Sequence, residues 1–239
     1  MTIYRLLEDS LHLPWVVQAS ALAALILLAS GALVRRQLSL AGGGVLPDEG
    51  VTLRNVFEVV VEGLSGLARD TMGEGWRRYF PLVGTIFVFV LVSNLLGLVP
   101  GLGGASSDVN MTTAWAIIAF LAYNVVGIRT HGFWYINQFL GPSFFEVQLF
   151  GRHVHVRPLA PLFLPLELIL HLARILTLSV RLLANMFADH TVVGVWIGLL
   201  PFAVPAIFMG LGLLVAVLQA FVFSLLTMIY IGQALEDPH

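Results

Sequence analysis

One arginine constrains this chain more than any other residue. Arg181 stands inside an apolar stretch, Ser179-Val180-Arg181-Leu182-Leu183-Ala184-Asn185-Met186-Phe187-Ala188, with Asp189 and His190 following it. On a helix these two lie just over two turns beyond the arginine. A cation at the centre of a bilayer costs at least ~2.5–3.5 kcal/mol on insertion scales, so it is rarely kept without a task. Arg181 has no carboxylate three or four residues away on either side. Its counter-charge must come from elsewhere in the fold or from another chain.

The surrounding sequence is that of a membrane protein. Of 239 residues, 58% are hydrophobic and 11% charged, where a soluble domain averages about 25% charged. Mean hydropathy is +0.91. Several apolar runs reach the ~20 residues that span ~30 Å of hydrocarbon. The fold class that follows is an all-α, polytopic membrane protein. It has about five to six hydrophobic helices and one amphipathic surface helix. A net charge of −2 argues against nucleic acid as a partner. With no cysteine there is no disulfide framework, thiolate metal site or thiol nucleophile.

The chain divides into one membrane domain with five segments. In 1–50, a polar lead precedes an apolar run from Pro14 to Val34, closed by Arg35-Arg36. The lead is not net positive and the run exceeds a usual signal-peptide core, so a retained span is expected. In 51–78, Arg54, Glu58, Glu62, Ser65 and Arg69 share one helical face, with Val56, Phe57, Val60, Val61, Leu64 and Leu67 covering much of the rest. Such a helix suits the membrane surface or a partner subunit. Segment 79–130 holds two spans, about 80–99 and 111–128, with Asn110 expected to cap the second. Segment 131–160 reads as an amphipathic to irregular loop. Its His153 and His155 would share a face of an extended strand, but no third ligand is suitably spaced for a metal.

Segment 161–239 is a helical hairpin. Pro165 to Leu199 forms one helix and Ala206 to Leu235 the other, separated by Pro201 and Pro205. About thirty residues make ~45 Å of helix, too long to stand upright in ~30 Å of hydrocarbon. A steep tilt or a bend is expected. Nine arginines (35, 36, 54, 69, 77, 78, 129, 152 and 157) fall on one side of the spans, and only Arg5 on the other. The nine-arginine side is therefore read as cytoplasmic, with the N-terminus outside and the C-terminus inside.

Glu167, Arg174 and Arg181 recur every seven residues, so they form nearly one stripe that drifts ~20° per step. His171 lies one turn beyond Glu167, and Asn185 one turn beyond Arg181. On the second helix, Gln219 is the strongly polar side chain near mid-depth, while Ser224 and Thr227 can bond back to their own helix. Glu167 and Arg174 suit either structural pairing or transport. Arg181 suits ion exchange. A carboxylic acid facing lipid on a neighbouring subunit stays neutral because burial disfavours its charge. Brought to ~4 Å from Arg181 at an effective dielectric near 20, it gains ~4 kcal/mol, about three pKa units, and ionises. The fixed cation also blocks a direct leak between the two faces.

Three stretches resemble subunit a of F-type ATP synthases of the bacterial type. Ser179 to Ala188 is similar to that family's S-x-R-L-F-G-N-M-x-A-G signature. Leu218-Gln219-Ala220-Phe221-Val222-Phe223 through Tyr230 resembles its last-helix motif. Asn94-Leu95-Leu96-Gly97-Leu98-Val99-Pro100-Gly101 with Asp108-Val109-Asn110 resembles its second-span ending. The resemblance implies a non-catalytic stator channel in a bacterial inner membrane, without cofactor or metal. Its implied partners are the c-ring, the stator b subunits and the rest of the complex. It implies that Arg181 meets the c-ring carboxylate, flanked by Asn185 and Gln219. Glu167 would then serve the cytoplasmic path, and His190 the outer half-channel. Arg174, His171 and Gly212 are possible secondary members. Two positions depart from the pattern: Asp189 stands where Gly is usual, and Gly212 where His or Glu is usual. The carboxylate has moved to the first helix while the facing position has lost its side chain. The expected ion is H⁺, with Na⁺ the alternative.

Rivals from other classes lack their signatures. A secondary transporter would show internal repeats with matching broken helices. A zinc protease would need a motif such as H-E-x-x-H, and no serine–histidine pairing stands out.

Overall fold

The structure, a computed structural model, describes residues 14–40, 52–99, 102–135, 145–149, 152–156, 160–200 and 203–236. Among these, six α-helices and one two-stranded ribbon appear. We label them α1 (Trp15–Leu40), α2 (Leu53–Met72), α3 (Trp76–Leu98), α4 (Val109–His131), β1 (Phe145–Leu149), β2 (Arg152–Val156), α5 (Ala160–Leu199) and α6 (Ala203–Leu235). The helical membrane architecture expected from composition is present, with the short ribbon as a departure from it. Among the described residues, four helical stretches are long and apolar enough to cross a membrane: Trp15–Ser39, Leu53–Leu98, Val109–His131 and Val204–Leu235. Helix α5 carries Glu167, Arg174, Arg181 and Asp189 along its length.

Several boundaries differ from the sequence reading. Helix α1 runs past Arg35-Arg36 to Leu40, because exposed arginines are good helix formers and need not end a helix. Asp108, not Asn110, caps α4: its side chain accepts the backbone N–H of Asn110 from an extended backbone position. Helix α5 begins at Ala160, so Pro165 lies inside it. Helix α6 begins at Ala203, which puts Pro205 in a first turn where its missing N–H has no helical partner to lose. The segment read as an irregular loop contains the antiparallel ribbon, whose register pairs Glu146 with His155 and Gln148 with His153. Arg157 and the chain on either side of the ribbon lie outside the described residues.

Helix α2 is amphipathic, and its buried residues are Arg54, Leu64, Ala68 and Met72. Arg54 was expected on the water-facing stripe. It lies at the border of that stripe, is 1% exposed, and its Nε donates to Glu58 at 2.7 Å. Gly73 ends α2 with φ +68°, donating its N–H to the Arg69 carbonyl. That left-handed conformation favours glycine, and a single 3₁₀ turn then starts α3.

The two long helices pack on the spans before them, α6 mainly on α3 and α5 mainly on α4. Leu178, Leu182 and Met186 recur every four residues on α5 and are buried. Ala216, Ala220 and Phe223, spaced four and three apart, are buried likewise on α6. Small residues allow close contact where α3 meets the segment before α4. A Cβ on Gly104 would lie 2.5 Å from the Ser93 carbonyl oxygen and 2.8 Å from Gly97 Cα. Buried Asn94 donates to the Ala216 carbonyl at 3.2 Å, tying α3 to α6. At 1.5 Å per residue, α5 is about 60 Å long and α6 about 50 Å. Both exceed the ~30 Å hydrocarbon thickness by more than the sequence reading allowed.

Candidate functional site

Arg181 sits midway along α5, at the outer edge of the face that buries Leu178 and Leu182. It is exposed. Among the described residues no hydrogen bond, ion pair or ring contact reaches it. Its helical neighbours Val180 and Phe187 are also outward, 56% and 67% exposed. The structure therefore presents a cation on an apolar outer surface. The chain folds this way because the inner face of this part of α5 is already filled by Leu178, Leu182 and Met186. A long cationic side chain there would have to be buried among them without a partner.

Around this position, Ser179 anchors α5 to α4. Its hydroxyl lies 3.0 Å from that of Thr113 and 3.4 Å from that of Thr112. One turn beyond Arg181, the Asn185 amide donates to Gln219 Oε1 at 2.9 Å. This bond joins the two long helices near the middle of both. Gln219 is buried, and its Nε2 has no hydrogen-bond partner among the described residues. The family resemblance implies that both flank the arginine's contact, and the structure shows that they bond to each other. Ser224 and Thr227 bond back to Phe221 and Phe223 of their own helix, as expected.

Toward the C-terminal end of α5, Asp189 and His190 line a cavity of about 140 Å³. Gly97 and Leu98 of α3, Met186, Val193, Gly194 and Ile197 of α5, and Met209 of α6 complete its wall. Asp189 Oδ2 is buried without a hydrogen-bond partner among the described residues. Gly212 faces it: a Cβ there would stand 3.5 Å from Asp189 Oδ2 and 2.7 Å from Leu98 Cδ2. A Cβ at 212 would make ordinary contact with the carboxylate but crowd Leu98, so the absent side chain leaves the space between them open.

At the N-terminal end of α5, His171 Nδ1 lies 2.9 Å from the Glu167 carbonyl oxygen and 3.3 Å from Glu167 Oε1. The His171 ring is 3% exposed and lies near Phe120 and Tyr123, with centroids 6.4 and 5.9 Å away. Arg174 is half-buried. Its guanidinium carbon stands 4.5 Å from the Tyr230 ring of α6 and 5.9 Å from the Tyr123 ring of α4. Neither tyrosine was singled out as a partner for Arg174 from sequence. A tyrosine in an apolar span carries no spacing signal, and which cation it meets depends on how three helices cross.

The polar residues therefore gather in three groups along α5: Glu167, His171 and Arg174 at one end, Arg181 with the Asn185–Gln219 pair in the middle, and Asp189 with His190 at the other. No carboxylate among the described residues is brought to Arg181. Among the described residues no group of three or more His, Asp or Glu could hold a metal ion. The side chains of His153 and His155 lie outside what is described.

Comparison with known proteins gives one consistent result. A family profile described as "ATP synthase A chain" matches residues 17–232. The chain is 41% identical over 231 residues to "ATP synthase subunit a 3" of Pelobacter propionicus, covering 97% of this chain and 89% of that one. It is 44% identical over 187 residues to "ATP synthase subunit a" of Geobacter sulfurreducens, covering 78% and 76%. It is 38% identical over 239 residues to "ATP synthase subunit a" of Geotalea uraniireducens, covering 100% and 97%.

Proposed function

The chain belongs to the ATP synthase A chain family, and from that premise we propose that it is the ion-translocating stator subunit of the synthase membrane sector, working beside a ring of c subunits. It is a multi-pass component of that sector, and no nucleotide chemistry is assigned to it. The observation that carries this reading is Arg181, an unpaired cation on the apolar outer face of a 40-residue helix. A protein that kept this charge for its own stability would pair it internally. This one leaves it turned outward, where a carboxylate on another chain can meet it.

The three groups on α5 then take separate roles. Arg181 forces an arriving acid to ionise and bars a straight path for cations. The Asn185–Gln219 bond fixes the spacing of α5 and α6 at that contact. Glu167, oriented by His171, belongs to the half-path on the cytoplasmic side. Asp189 and His190, in their cavity against Gly212, belong to the half-path on the outer side. The arginine asymmetry of the loops supports this orientation, with the C-terminus cytoplasmic. Protons are the proposed ion. An imidazole stands beside the carboxylate in each half-path, and imidazoles relay protons near neutral pH, whereas hard metal cations prefer oxygen ligands.

The decisive experiment is Arg181→Ala in the assembled complex. ATP-driven acidification of inverted membrane vesicles should vanish while the complex still assembles and hydrolyses ATP. Acidification at the parent rate would overturn the reading. Acidification that depends on added Na⁺ would move the ion assignment to sodium.

A further inference from the structure

Helix α5 carries two arginines seven residues apart, and the structure treats them in opposite ways. Arg181 is exposed and unpaired. Arg174 is held between two aromatic faces from two other helices, 4.5 Å from the Tyr230 ring and 5.9 Å from the Tyr123 ring. Those rings are themselves 5.7 Å apart, and Tyr123 is 2% exposed. The seven-residue spacing leaves the two arginines within ~20° of each other around the helix axis and about 10 Å apart along it. Backbone direction alone therefore does not keep Arg174 off the side where Arg181 points.

We propose that Tyr230 and Tyr123 form a latch that turns Arg174 into the helix bundle, so that Arg181 alone meets a carboxylate passing along α5. The proposal rests on the reading of Arg181 given above. The nearest acid on the same helix, Glu167, is engaged by His171, so the aromatic faces hold Arg174. Guanidinium suits this because it is planar, weakly hydrated and stacks on rings, and the attraction strengthens when the pair is shielded from water. A released Arg174 would offer a second cation on nearly the same stripe. An acid that had left Arg181 would stay ionised beside it, and the exchange cycle would stall. Tyr230 and Tyr123 are thus positioning residues that keep the ion-exchange point single.

Three variants of the whole complex in inverted vesicles test this: Tyr230→Phe, Tyr230→Leu, and Tyr230→Leu combined with Arg174→Gln. The readout is lumen acidification per ATP hydrolysed. Tyr230→Phe keeps the ring face and is expected to retain pumping. Tyr230→Leu should lower it severalfold, and adding Arg174→Gln should restore it. A purely structural role for Tyr230 predicts no such rescue. The latch is overturned if Tyr230→Leu pumps like the parent or Tyr230→Phe fails. It is equally overturned if the double variant is no better than the single, including the case where neither assembles. Failure of the latch alone leaves Arg181→Ala inactive, whereas failure of the underlying reading leaves Arg181→Ala pumping.

Discussion

At the scale of the residue, Asp189 and Gly212 are the most informative pair. A carboxylate with a buried, unpartnered oxygen faces a position that has no side chain. An acidic side chain in such a cavity, with His190 beside it in sequence, can accept a proton from one side and pass it to the other. Asp189→Asn removes that capacity at nearly constant volume. It should reduce ATP-driven acidification by ~10²-fold, the low end of what a positioned proton carrier contributes, with assembly unchanged. Pumping at the parent rate would assign the outer half-path to His190 alone. The pairing of 189 with 212 was legible in the sequence as two departures from one pattern. The aromatic cage of Arg174 was not legible, because Tyr123 and Tyr230 are 107 residues apart and only the packing of α4 on α5 and α6 brings their rings together.

At the scale of the element, helix identity followed from composition, while helix ends did not. Runs of apolar residues located α1, α3, α4, α5 and α6. Prolines misplaced the starts of α5 and α6, since a proline near a helix N-terminus is tolerated. Arginines misplaced the end of α1. The crossing of α3 with the segment before α4 depends on the absence of side chains at Gly97 and Gly104. Gly104→Ala would push a methyl group against backbone atoms of Ser93 and Gly97, which cannot swing away as a side chain can. Overpacking of this kind costs roughly 1–3 kcal/mol. The variant should show a lower thermal midpoint in the purified detergent-solubilised complex. An unchanged midpoint would show that this crossing yields easily.

At the scale of the whole molecule, the surface is that of a protein bathed in hydrocarbon. Leu28, Leu176, Phe187, Leu199 and Ile207 are each more than 60% exposed. The proposed orientation rests on the arginine asymmetry of the loops, and the lack of cysteine makes that direction easy to test. Single cysteines introduced as Ser107→Cys and Gln233→Cys should label from opposite sides with a membrane-impermeant maleimide. In right-side-out vesicles Ser107→Cys should react and Gln233→Cys should not. The reverse result would invert the two half-paths. Membrane class and the sidedness expectation were both available from sequence. The length of the long helices was available only in outline, since α5 proved longer than the thirty or so residues the prolines suggested.

Arg181 also bears on how the complex comes to exist. A lone copy of this chain would turn an unpaired guanidinium toward acyl chains, the costly arrangement at mid-bilayer. The penalty is lifted when an acid from another chain arrives opposite it. Biogenesis and ion transfer would then draw on one electrostatic contact. On the proposed function, the attraction that would ionise a passing carboxylate also makes the orphan subunit a poor resident of the membrane, which would favour its late recruitment beside a ring already in place.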